Sequence, residues 1–111
     1  MTANGFRKLA LQLPEAVEGS HHGVADFRVE TKIFATLAYE NTGCGVLLLT
    51  PEQQEGMIAD APGIFSPVPN AWGRKGATLV KLSAVKADIL AAALRTAWLR
   101  RAPKRLVNLL S

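Results

Sequence analysis

A chain of 111 residues with 49% apolar, 6% aromatic and 20% charged side chains is neither disordered nor fibrous, and it is long enough to bury an aliphatic core without disulfides. Cys44 is the one cysteine, which excludes an internal disulfide, and no apolar run approaches the roughly 18 residues that a membrane span needs. The net charge of +4 is unevenly spread: residues 1–70 hold four Lys/Arg against eight Asp/Glu, whereas from residue 71 onward nine Lys/Arg face one acid, Asp88. The second half is therefore the candidate anion-facing surface.

Phe6, Leu9, Ala10 and Leu13 recur at helical spacing, with Asn4 as the expected cap and Pro14 as the stop. This segment has neither the continuous apolar stretch nor the cleavage site of a secretory signal, so a cytoplasmic location is expected. Residues 16–39 change to strand patterning and predict three short strands, at 17–23, 27–29 and 33–39, with residues 30–32 as the tight turn between the second and third. Gly43 and Gly45 lead into a fourth strand ending at Leu49, and Cys44 is expected to be a small residue near that turn.

Thr50 as N-cap, Pro51 at the first helical position and acids in the first turn predict a helix ending at Pro62-Gly63. Residues 64–76 read as a proline-interrupted loop or wing that ends in a basic turn around Trp72, Arg74 and Lys75. Residues 77–82 predict a fifth strand, and Ser83 is the expected cap of a long helix with Leu90, Leu94 and Trp98 on its apolar stripe. Pro103 interrupts that helix, and Leu106, Val107, Leu109 and Leu110 predict a last helical turn or two. The expectation is a single compact α+β domain over residues 1–111, with an antiparallel sheet of about five strands against helices in the order α-β-β-β-β-α-β-α.

Catalysis has no motif here: there is no Gly-x-Ser-x-Gly elbow, phosphate loop, Cys pair or His-Glu-x-x-His, so neither an enzyme nor a cofactor is expected. His21 and His22 are adjacent in an expected strand, where their side chains point to opposite faces and cannot jointly hold one metal without a bulge, so a zinc or acid/base role would rest on a single imidazole assisted by Asp26 or Glu18. Glu52 and Glu55 are ordinary dipole partners of a helix start. Trp98 belongs to the core stripe. Trp72 beside Arg74 and Lys75 joins a flat ring to two cations, a composition suited equally to plugging the core and to meeting single-stranded nucleic acid or a minor groove. Arg95, Arg100, Arg101, Lys104 and Arg105 form the densest basic cluster, with Lys81 and Lys86 adding to the same half. A helix dipole accounts for one or two such cations at a C-terminus; the rest point to an anionic partner, with nucleic acid foremost.

Several segments, in order, resemble the MmcQ/YjbR family: residues 6–14 with Glu18-Gly19, Phe27-Arg28-Val29 with residues 32–35, the Thr50-to-Gln54 helix start, Trp72-Gly73, and Ala97-Trp98 with Ala102-Pro103. His22-Gly23 also matches a motif position. The resemblance implies a bacterial-type α+β domain likened to a double-wing DNA-binding arrangement, of unknown biochemical role and without catalytic residues to carry over. The resulting expectation is a nucleic-acid-binding domain that contacts phosphates through Arg74, Lys75, Lys81 and the Arg95-to-Arg105 cluster, with Trp72 among them. The alternative is a protein-interaction or homodimer module using the sheet or the C-terminal leucine face.

Overall fold

Thr2, rather than Asn4, caps the first helix in the computed structural model, which describes residues 1–110. Its Oγ1 accepts the Gly5 N–H at 2.9 Å, and α1 runs over Ala3–Leu11. Asn4 lies inside that helix and accepts from Arg7 at 2.6 Å.

The chain then turns back on itself twice in tight succession. Strands β1 (Val17–His21), β2 (Val24–Val29) and β3 (Lys32–Thr36) are joined by two-residue turns, His22-Gly23 and Glu30-Thr31. All four turn residues have positive φ (53° and 77°, then 46° and 68°), as the right-handed twist of a tight hairpin demands. The sequence reading carried the first strand through Gly23, because His22 lacks the Asn or Gly signature of such a turn. Strand β4 (Cys44–Leu48) follows a single 3-10 turn that closes at Gly43, φ 78°.

Helix α2 (Pro51–Asp60) starts as expected. Thr50 Oγ1 accepts the Gln53 N–H and the Gln53 side chain accepts the Thr50 N–H, a reciprocal capping box. Within the segment read as a wing lie a three-residue strand, β5 (Phe65–Pro67), and one helical turn, α3 (Ala71–Arg74). Pro67 suits the edge position that β5 occupies, since no ladder bond is asked of it. Strand β6 (Ala77–Lys81) and helix α4 (Ala87–Arg101) follow, with Lys86 rather than Ser83 at the N-cap, and then α5 (Lys104–Val107) with a last 3-10 turn.

The six strands form one antiparallel sheet in the order β1-β2-β3-β4-β6-β5, one strand more than the sequence suggested. Because side chains alternate along a strand, neighbours in β4 face opposite ways. Leu47 joins the main core with α1 and α4, which includes Phe6, Phe27, Phe34, Leu90, Leu94 and Trp98. Trp98 is fully buried and its Nε1 donates to the Pro14 carbonyl at 3.0 Å, tying the end of the long helix to the end of the N-terminal segment. Val46 and Leu48 face the other way, into a small cluster with Val68, Ala77 and Trp72. Apart from that cluster, this second face lacks a helical layer. No helix among the described residues is long and apolar enough to cross a membrane.

Candidate functional site

The uncovered face of the sheet holds a cavity of about 610 Å³. Cross-strand register sets its floor: Asp26 pairs with Thr36, so the two share one face of the sheet, the face on which Val46, the partner of Thr36, also lies. Val24, Ile33, Ala38 and Leu48 contribute apolar surface around them. The His21-His22 hairpin closes one end, while Trp72 and Arg101 stand at the other.

Two polar groups sit in that floor. Asp26 is 1% exposed and is clasped by Arg28, whose Nε donates to Oδ1 at 2.7 Å and whose Nη2 donates to Oδ2 at 3.0 Å. The hydrogen bond to Asp26, reinforced by its charge, raises the Arg28 guanidinium above its ordinary pKa. Thr36 is also buried, and its Oγ1 accepts the Ala38 N–H at 3.1 Å, leaving the hydroxyl proton free to donate elsewhere.

Trp72 is held in place from behind. Asn70 caps the short α3 through the Trp72 N–H at 2.8 Å. From α2, Gln54 Nε2 donates to both the Gly73 and Ala77 carbonyl oxygens, at 3.0 and 2.9 Å, fastening α3 to the start of β6. Gly73 is required here because a Cβ would run into the Val68 carbonyl oxygen. The half-buried indole therefore packs on Val46, Val68 and Ala77 with one part while another part lines the cavity.

A smaller crevice of about 170 Å³ adjoins the cavity, sharing Leu48, Trp72 and Arg101 with it, and is lined further by Lys75 and Arg100. Lys32 stands beside Arg100 and Arg101 in a third hollow next to the Glu30 turn. None of these four cations makes a salt bridge among the described residues. The Arg101 Nε is buried without a hydrogen-bond partner among them. Desolvation, and secondarily the Arg101 charge, lowers the Arg100 pKa, although a guanidinium stays charged at any physiological pH. Two adjacent arginines that make no salt bridge among the described residues favour an incoming anion.

Of the residues singled out in the sequence, Trp72, Lys75, Arg100 and Arg101 come together. Arg74 is exposed one position from Lys75, and Lys104 is exposed at the start of α5. Lys81 lies at the far end of β6, opposite Cys44. Arg95 donates to the Leu110 carbonyl at 2.9 Å, and Arg105 is occupied by Glu15 at 3.1 Å and Glu30 at 3.5 Å. The C-terminal apolar face turns largely inward: Leu106 is buried and Leu110 packs on the core, leaving Leu109 62% exposed.

His21 and His22 are a correction to the sequence reading. The left-handed turn conformation of His22 brings the two rings together, with centroids 4.3 Å apart and edge to face, instead of on opposite faces. No group of three or more His, Cys, Asp and Glu among the described residues is placed to hold a metal ion. Asp26, Thr36, Lys32 and Gln54 are not among the contact residues expected from the sequence. One signal was present: Asp26 and Arg28 are charged residues two apart in an otherwise apolar strand, hence on one face.

The family model described as YjbR matches residues 11–100. No curated protein matches the chain. Among solved structures, it is similar to the crystal structure of a Deinococcus radiodurans protein with a DUF419 domain, at a TM-score of 0.73 and 21% identity, covering 98% of this chain and 87% of that one. At that identity the likeness is one of fold.

Proposed function

The chain belongs to the YjbR family, and from that premise we propose that it binds single-stranded nucleic acid across the uncovered face of its sheet. Phosphates lie along Lys32, Lys75, Arg100 and Arg101, and an unpaired base stacks against Trp72. One observation carries the reading: the same indole lines both the largely apolar cavity and the crevice that holds Lys75, Arg100 and Arg101. A flat apolar wall beside a positively charged groove is what a nucleotide strand meets in sequence-tolerant binding, where each stacked base contributes about 1–3 kcal/mol. A duplex keeps its bases in the stack and offers the cavity nothing to enclose.

The set of contacting cations is narrower than the sequence suggested. Arg105 and Arg95 already have intramolecular partners, and Lys81 lies at the opposite end of its strand from Trp72. Fluorescence anisotropy with a labelled single strand and the matching duplex, at low and moderate salt, tests the proposal. The single strand binds more tightly, and Trp72→Ala weakens it by about tenfold, the loss of one stacked base. Equal affinity for the duplex, or no binding at low salt, would overturn it.

A further inference from the structure

The cavity beyond Trp72 is larger than a stacking surface requires, and its floor carries a specific pair of polar groups. At about 610 Å³ it falls in the range of small-molecule sites, which are mostly apolar with a few placed polar groups. Resting on the single-strand reading above, we infer that this cavity takes in one base of the strand and that Asp26 with Thr36 selects bases carrying an exocyclic amino group over thymine or uracil.

Asp26 and Thr36 each keep unused hydrogen-bonding capacity. A carboxylate only accepts hydrogen bonds and has about four acceptor positions. Arg28 occupies one on each Asp26 oxygen, so acceptor capacity remains while the ion pair moderates the negative charge that would otherwise repel a nearby phosphate. Thr36, directly across the strand pair, has accepted the Ala38 N–H and has its own proton left to give. The floor thus offers an acceptor and a donor side by side. Adenine and cytosine present the complement, an amino donor next to a ring-nitrogen acceptor, and guanine presents two donors next to a carbonyl. Thymine and uracil present a single N–H flanked by two carbonyls, so whichever carbonyl does not meet Thr36 is turned toward the second, repelling carboxylate oxygen.

The test is a ratio of affinities rather than an affinity. Octamers of dA, dC and dT are titrated against the wild-type protein, Asp26→Asn and Thr36→Val by intrinsic tryptophan fluorescence. Because misfolded protein lowers all affinities equally, the dA/dT and dC/dT ratios survive a loss of folded fraction. Wild type prefers dA and dC to dT by about tenfold, the discrimination of one well-placed hydrogen-bonded pair. Asn, which can also donate, brings the ratio toward one, and Thr36→Val reduces it partway. Binding of all three octamers with equal affinity would overturn the inference and leave the single-strand reading intact. Failure of every octamer to bind overturns both. Adenosine and uridine monophosphates serve as a further arm: if the adenosine nucleotide binds as tightly as the dA octamer, with the uridine one weaker, base selection stands and the single-strand reading falls.

Discussion

Gln54 and Gly73, far apart in sequence, are joined by a 3.0 Å hydrogen bond from the Gln54 side chain to the Gly73 carbonyl oxygen, and through it the second helix sets the attitude of Trp72. The same Nε2 also reaches the Ala77 carbonyl, so one side chain adds a second hydrogen bond to each of two carbonyls that already accept a backbone N–H, from Gly76 and Val68. Gln54→Leu removes both bonds but leaves each carbonyl its backbone partner, the Gly76 N–H on Gly73 and the Val68 N–H on Ala77, so the cost is about 0.5–1.5 kcal/mol for each bond lost. Urea denaturation measures that loss. Nucleic-acid affinity, corrected for folded fraction, falls as well, because α3 is no longer fastened.

Gly73 offers a second way to move the indole without altering it. A methyl group at this position collides with the Val68 carbonyl oxygen, so Gly73→Ala pushes α3 outward. The expected result is a blue- or red-shifted Trp72 emission and weakened strand binding. Since Trp98 is the other indole, the spectrum is read in a Trp98→Phe background.

Trp98→Phe keeps most of the apolar burial and removes the bond to the Pro14 carbonyl, costing about 0.5–1.5 kcal/mol for the bond itself. Trp98→Ala opens a cavity among Phe6, Leu94 and their neighbours and costs about 3–5 kcal/mol. Thermal or urea unfolding of the two variants gives the comparison. Both retain strand affinity in their folded fraction, because Trp98 is on the core side of the sheet.

Arg105 separates charge from place. It is exposed and paired with Glu15 and Glu30, and its hydrogen bond to Glu15 is the main reason its pKa is raised. Arg105→Ala removes a unit of positive charge from the basic half without touching the crevice. It leaves strand affinity at moderate salt close to wild type, whereas Arg101→Ala reduces it. Equal effects would mean that overall charge, rather than the crevice, governs binding.

Much of the fold was legible because the periodicities were clean. The Leu90, Leu94 and Trp98 stripe, the Thr50-Pro51 helix start and the β4 run all appear where patterning predicts them. The His22-Gly23 turn was not, since histidine seldom announces a left-handed residue, and extending the strand through it separated two rings that in fact meet. Strand β5 was hidden by Pro67, which removes a ladder bond in a central strand but not at an edge. The site was only half legible. Trp72, Lys75, Arg100 and Arg101 stood out by residue type, but their convergence depends on antiparallel pairing and on where α4 ends. Asp26 and Thr36 face each other through a register that is interrupted by an irregularity between Phe27 and Arg28, which strict alternation does not anticipate.

The most direct measurement is the salt dependence of single-strand affinity for wild type and for the Lys75→Ala, Arg100→Ala, Arg101→Ala triple variant. Each phosphate neutralised contributes about 0.7 to the slope of log K against log salt on a single strand, so removing three contacts flattens it by about 2. A flatter slope of that size, with the variant still folded, is the predicted result. A slope unchanged from wild type would contradict the assignment of phosphate contacts to this crevice.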